Sequence, residues 1–221
     1  IASRLLNAQV HARGINAARQ TALAFVKSSD GSADSLKLLV WAYQAAGAQG
    51  SLITDVQAVL HSATAQRRAE VLAAAYDALG QKDAAFDTLQ AYAASAPQDA
   101  AASLRLLKRA QTPAQFFAGM RAAAATLAAD PDKLDEIQKR FAQALDTNAA
   151  ADWAAAPPAD LGDGLTAYLA AEALVENDGP PARIDAAFKA ALRGTPAFLP
   201  ARRGYVDWLI SQDRLTDAAP L

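Results

Sequence analysis

The sequence has no cysteine, a single methionine and only two histidines, and aromatic residues make up 7% of its 221 positions. Without cysteine there are no disulfides, zinc-thiolate sites, iron–sulfur clusters or thiol nucleophiles. His11 and His61 each end a helical stretch, where a partial positive charge meets the negative end of the helix dipole; neither stands among partners that suit a metal site or a nucleophilic triad. Neither sign of charge dominates. A net charge of -2 and a pI near 5.7 supply no field to draw a polyanion, so nucleic acid is not an expected partner. The longest uncharged run, Leu38 to Thr54, is broken by Gln44, Gly47, Gln49, Gly50 and Ser51, which excludes a membrane-spanning helix there. The chain begins at Ile1 with no charged-then-apolar leader, so the sequence leaves the compartment open. Phosphate loops of the GxxxxGK[ST] type, HExxH, GxSxG and CxxC are all missing, and the LGDGL stretch at Gly162 and Gly164 lacks the preceding strand and third glycine of a dinucleotide loop, so it reads as a turn. No cofactor, metal site or catalytic constellation is expected.

What is abundant is alanine. Hydrophobic residues reach 52% and charged residues 20%, enough apolar surface for a folded core, and an alanine-rich composition poor in aromatics favours closely approaching helices over sheets. Turn residues then recur at fixed spacing. Gly14, Gly47 and Gly80 lie 33 residues apart, Gly179 follows three periods later, Pro113 and the Asp146-Thr147-Asn148 turn fill the gaps, and Asp213 extends the series. Glycine suits these places because helices commonly end on a left-handed residue, a conformation that costs a Cβ-bearing residue about 1 kcal/mol. A second series, Gly31, Thr64, Pro97, Pro131, Gly164 and Pro196, has nearly the same period. Two interleaved breakers per period predict two helices per period.

The apolar residues stay in phase with these breakers. First helices align Leu6, Leu39 and Leu72, then Val10, Tyr43 and Tyr76; second helices align Leu23, Val56 and Leu89, with Ala123 and Phe188 in later units. Within the best unit, Gln66 to Asp99, the residues Leu72, Ala73, Tyr76, Gly80, Ala85, Leu89 and Pro97 resemble the signature of the tetratricopeptide repeat. That resemblance implies an all-α, right-handed α-solenoid of about six to seven helical hairpins with a 33–34 residue period. In it, small residues let the helices of a hairpin touch, the tyrosine fills the space between hairpins and the proline closes the unit. Other units depart from the pattern: Arg19 and Leu52 stand where Ala85 does, and Tyr92 replaces a usual alanine. The polar code residues and basic grooves of pentatricopeptide repeats and the Thr-Pro-Leu-His opening of ankyrin repeats are absent.

One solenoid spanning 1–221 is expected, with an irregular segment at 149–164 where Pro157 and Pro158 cut a helix short. Only eight residues, Arg214 to Leu221, follow the turn at Asp213, so the chain is expected to be a segment of a longer protein. The acidic group Asp130, Asp132, Asp135 and Glu136 surrounds a helix start and reads as capping rather than a cation site. Trp41, Trp153 and Trp208 are expected to pack between helices, with Trp153 the best candidate for an exposed exception.

One local patch points outward: Arg105, Lys108 and Arg109 lie at i, i+3 and i+4 of one helix and suit a carboxylate or acidic peptide. The chaperone-tail clamp known in the family needs asparagines that Val71, Ala74 and Asp77 do not supply. The expected function is therefore a non-catalytic scaffold that binds another protein or peptide. Its alanine-rich, cysteine-free composition is similar to periplasmic scaffolds of bacterial exopolysaccharide export. The alternative is a regulatory or substrate-positioning segment of a larger enzyme such as a glycosyltransferase.

Overall fold

The computed structural model describes residues 14–28, 33–144, 150, 152–153 and 161–221. Leu6, Val10, His11, Gly31, the turn at 146–148 and Pro157–Pro158 lie outside the described residues. Twelve α-helices and no strand occur among the described residues: α1 (Ile15–Ser28), α2 (Ala33–Ala45), α3 (Leu52–Val59), α4 (Ala65–Ala78), α5 (Lys82–Ser95), α6 (Ala100–Arg109), α7 (Pro113–Ala129), α8 (Leu134–Ala144), α9 (Gly164–Glu176), α10 (Pro181–Gly194), α11 (Leu199–Ser211) and α12 (Leu215–Ala218). Taken from one breaker of the second series to the next, α2, α4, α6, α8, α9 and α11 are first helices and α1, α3, α5, α7, α10 and α12 are second helices.

Local chemistry sets most of the ends. Thr64, Asp99, Thr112 and Asp163 each cap a helix by accepting a hydrogen bond from the backbone N–H three residues on, at 2.7–3.2 Å, each worth about 1 kcal/mol. Pro113 occupies the first turn of α7, where its missing N–H costs nothing. Asp130 differs from expectation. Its side chain makes no cap and instead pairs with Lys133 at 3.2 Å, while Asp135 and Glu136 do sit in the first turn of α8.

The expected left-handed turns are found at Gly47 (φ +61°) and Gly80 (φ +75°), and at Asp213 (φ +57°). At the next expected glycine the left-handed residue is Asp178 (φ +49°), one position earlier. Gly179 serves a different purpose: a Cβ there would lie 2.8 Å from Leu174 Cδ2.

The chain divides into two compact units, 1–92 and 93–221, with the break inside α5; the irregular 149–164 segment falls within the second. In the first unit α1 packs on α2 and α3, and α4 on α2 and α3. Leu39, Tyr43, Leu52 and Val56 are fully buried in its core, and Leu72 is nearly so. Burying each large aliphatic side chain contributes about 1.5–3 kcal/mol. Tyr76, expected to fill space as Tyr43 does, is only half-buried, although both stand two residues from the end of their helices. Ala85 is buried as a small residue should be, and so is Leu89. Trp41 corrects the expectation of core packing. Its 38% exposure follows from its place on the Lys37–Trp41–Gln44 stripe, opposite the face of α2 that buries Leu36, Leu39 and Tyr43.

In the second unit, α6 with α7 and α9 with α10 form the closest neighbouring pairs, and α7 also packs on α9. First helices touch in succession: α6 on α8, α8 on α9, α9 on α11. Glycine permits two close approaches. A Cβ on Gly119 of α7 would lie 3.1 Å from the Leu107 side chain and backbone of α6, and one on Gly164 would lie 2.6 Å from the backbone nitrogen of Thr195. Phe116, Met120, Phe141, Tyr168 and Phe188 fill the core. Trp153 is half-buried, its ring 6.0 Å from that of Phe116, and Trp208 is buried against Tyr205 and Phe188.

Candidate partner-binding site

The basic patch expected on α6 is rearranged by its neighbour. Arg105 and Lys108, one turn apart on α6, line a cleft of about 250 Å³ together with Arg140 of α8, over a floor of Ala101 and Leu104. Arg109 does not line it. It lies in the last turn of α6, half-buried, where burial disfavours its charge. Arg140 is the residue that sequence reading missed: it is 35 positions from Arg105, close to one repeat period, which was the available signal.

The electrostatics of the cleft are specific. Burial chiefly, and then the facing Arg140 guanidinium, make the Arg105 cation less favourable than that of an exposed arginine. Arginine nevertheless keeps its charge, so two like charges confront each other across a narrow gap. Arg140 is also bonded to Glu136 of its own helix at 2.5 Å, with both side chains 47% exposed. Such an exposed i,i+4 pair is worth only a few tenths of a kcal/mol. Arg105, Lys108 and Arg140 thus bring three cationic side chains to one cleft. The arrangement can hold an anion by charge-assisted hydrogen bonds.

Two further clefts are lined by polar clusters. In the first unit Asp55 accepts hydrogen bonds from Tyr43 (2.6 Å), Arg19 (3.0 Å) and Ser51 (3.3 Å), and the Arg19 guanidinium lies 4.6 Å over the Tyr43 ring. Burial, then the bond to Asp55, pushes the Tyr43 hydroxyl up to about 12, while the bond from Tyr43 holds the Asp55 carboxyl below its usual range. The departure at Arg19 is therefore used: it reaches across to the next hairpin. In the second unit Asp185 accepts from Tyr205 (2.7 Å) and Arg214 (3.1 Å) and pairs with Lys189 (2.6 Å). These groups edge a cleft of about 490 Å³. In each cluster a tyrosine and an arginine donate to one carboxylate, which marks them as braces, although Arg214 also pairs with Asp217 and the buried Nε of Arg19 has no hydrogen-bond partner.

Glu172 of α9 is a third unusual group. Gln138 of α8 donates to the Tyr168 hydroxyl, Tyr168 hydrogen-bonds Glu172, and the Glu172 carboxylate rests where a Cβ on Gly204 of α11 would approach to 2.8 Å. Burial first, then Glu176 and Asp207, push it up to about 7, against the bond from Tyr168. Among the described residues no group of three or more His, Cys, Asp or Glu side chains is placed to hold a metal ion, and no helix is long and apolar enough to cross a membrane.

No protein-family model matches the chain, and no curated protein matches it. The site therefore stands on its own geometry. Leu72, Ala73, Tyr76, Gly80, Ala85, Leu89 and Pro97, which carry the tetratricopeptide resemblance, all lie in or beside α4 and α5, and none of them lines the cationic cleft.

Proposed function

We propose that this chain is a protein-interaction module of the helical-repeat kind, which holds a peptide or protein segment of a partner along the side formed by its first helices. The observation that carries this reading is the succession α6–α8–α9–α11 in the second unit: first helices from consecutive hairpins touch one another and so present one continuous layer. Stacked hairpins use such layers as extended binding surfaces. The cationic cleft lies between two members of that layer. The tetratricopeptide-like solenoid belongs to the same proposal, supported by helices packed in neighbouring pairs and by left-handed turns at Gly47, Gly80 and Asp213. A place in bacterial exopolysaccharide export rests on a compositional analogy alone.

Site-specific photo-crosslinking tests the reading. A benzophenone side chain introduced at exposed Lys139 of α8 or Asp207 of α11 is expected to give several-fold more adduct with proteins of a native lysate than one at exposed Ala182 or Ala186 of α10. Equal yields from both sides would remove the first-helix layer as the binding surface.

A further inference from the structure

Independently of the interaction reading above, we infer that the outer face of α11 is a self-association surface, on which a second copy of this chain packs its own α11 antiparallel about a twofold axis.

Of the four large hydrophobic side chains that stand exposed among the described residues, three are Leu199 (71% exposed), Ile210 (48%) and Leu215 (63%), on α11 or just past its end. The apolar surface left in water is thus concentrated at one helix. On its inner side α11 buries Ala201, Tyr205, Trp208 and Leu209 in the core of the second unit. Leu199, Val206 and Ile210 recur at i, i+7 and i+11, which sets them in one straight stripe on the opposite side. A helix that buries one apolar face normally turns a polar one to water. This helix is apolar on both sides, so its outer stripe calls for a cover.

Charge selects the cover. Arg203 and Asp207 flank the stripe at i+4 and i+8, are exposed, and form no ion pair with any described residue. Asp207 instead disfavours the carboxylate of Glu172 on α9, so a cation brought to Asp207 relieves a repulsion inside the unit. The pair Leu199 and Ile210 shares its midpoint with the pair Arg203 and Asp207 to within half a residue. Two copies of α11 laid antiparallel therefore set Leu199 opposite Ile210 and Arg203 opposite Asp207, each contact made twice by symmetry, with Val206 near the axis. Parallel packing would set Arg203 on Arg203 and Asp207 on Asp207, and like-charge repulsion excludes it. A second copy carries both complementary charges in the matching register, whereas a uniformly acidic or basic helix satisfies only one of the two. One helix from each copy makes a small interface, at the transient end of the range.

The test is sedimentation equilibrium on the whole chain from about 5 to about 500 µM, where a monomer–dimer equilibrium with Kd on the order of 50 µM is expected. Ile210→Asp should weaken it by about tenfold or more, because it sets an unpaired charge against Leu199, whereas Lys139→Gln, an exposed change on α8, should alter it by less than about twofold. Charge reversal gives a readout that a merely sticky face would not. Arg203→Asp and Asp207→Arg each set like charges across the axis and should each weaken association by about fivefold or more. An equimolar mixture of those two variants restores every opposite pair and should recover a mixed dimer to within about twofold of the parent affinity. Circular dichroism of each variant confirms that the helices remain. A parent chain that stays monomeric throughout, single charge reversals that associate as well as the parent, or a mixture that fails to recover would each overturn the inference. The partner-binding reading stands or falls separately, since it is also scored by foreign adducts at Lys139, on α8 and outside α11.

Discussion

The two units use glycine for different reasons. In the first, Gly47 and Gly80 sit at the turns with positive φ, and nothing within 4 Å would meet an added Cβ. In the second, the equivalent turn conformations at 178 and 213 are carried by aspartate, and glycine appears where backbones meet: a Cβ on Gly194 would lie 2.6 Å from the Gly164 nitrogen, and one on Gly164 would lie 2.7 Å from the Ala191 carbonyl. The first unit spends Gly47 and Gly80 on chain direction; the second spends Gly119, Gly164, Gly179 and Gly194 on close contact, with Gly162 (φ +80°) still a turn glycine. Aspartate can take the turn because its short side chain hydrogen-bonds locally and tolerates the left-handed region better than most residues.

That contrast is sharpest at Gly164. An alanine there meets the Thr195 hydroxyl at 2.5 Å and, beyond what a side-chain shift can relieve, the Thr195 nitrogen at 2.6 Å and the Ala191 carbonyl at 2.7 Å, so α9 and the end of α10 must separate. Gly164→Ala is expected to cost the second unit about 3 kcal/mol, seen in denaturant unfolding and as faster hydrogen exchange in α9 and α10, with α1 to α3 unchanged. A cost below about 1 kcal/mol would mean that the close approach is not needed for packing.

The polar braces differ in the same instructive way. Around Tyr43 the carboxylate follows the tyrosine, on α3, and the arginine precedes it, on α1; around Tyr205 the carboxylate precedes it, on α10, and the arginine follows, after α11. Asp55 has one cation and is 33% exposed, whereas Asp185 has two and is 17% exposed. Asp185→Ala should therefore cost about 3 kcal/mol and Asp55→Ala about 2 kcal/mol, read by chemical unfolding. Removing the cation reverses the order. Arg214→Ala leaves Lys189 and Tyr205 on the carboxylate, so it should cost less than Arg19→Ala, which leaves Asp55 with no cation and Tyr43 without its covering guanidinium.

These differences explain what the sequence could and could not reveal. The helical class, the turns at Gly47 and Gly80, and the breaks at Thr64 and Pro113 are local, set by single-residue backbone and capping preferences, and they were legible. Burial of Leu39, Val56, Leu89 and Phe188 followed from periodicity. Arg140 was not found because it joins Arg105 through helix packing, and a charged residue on an exposed stripe looks alike whether or not another cation faces it. Trp41 was misjudged because size alone was used to assign burial, while its position on α2 decided it; Tyr76 was read from its alignment with Tyr43, and the alignment does not carry over to its burial. The use of Arg19 was equally hidden, since its partner Asp55 lies 36 residues away on another hairpin.

Acid response should also separate the units. Glu172, pushed up to about 7, keeps its proton in the folded second unit over a range where the unfolded chain has released it. The folded state then binds more protons, so stability falls as pH rises from about 5 to about 8, and is fully retained only below the ordinary glutamate range. Asp55 and Asp185, held below their usual range, act in the opposite sense and only in acid, where stability is lost as pH falls through their folded values. Partial exposure of Glu172 limits its effect to about 2 kcal/mol. Glu172→Gln should raise the melting temperature of the second unit at pH 8 and flatten its decline between pH 5 and 8, leaving the first unit unaffected. A wild-type second unit whose stability is level across that interval would place the carboxyl in a more solvated position than the one between Tyr168 and Gly204.

The smallest effect tests the conformational half of the comparison. At Gly80 the space is open, so an added methyl group costs only what the positive φ imposes, and Gly80→Ala should destabilise the first unit by about 1 kcal/mol. Gly80→Asp reproduces the residue type that the second unit uses at 178 and 213, and should cost about half as much. The two substitutions place the same Cβ in the same space and differ only in how well the residue bears a left-handed backbone. If alanine and aspartate prove equal in unfolding measurements, sterics rather than backbone preference governs this turn, and the division between direction-setting and contact-making glycines dissolves.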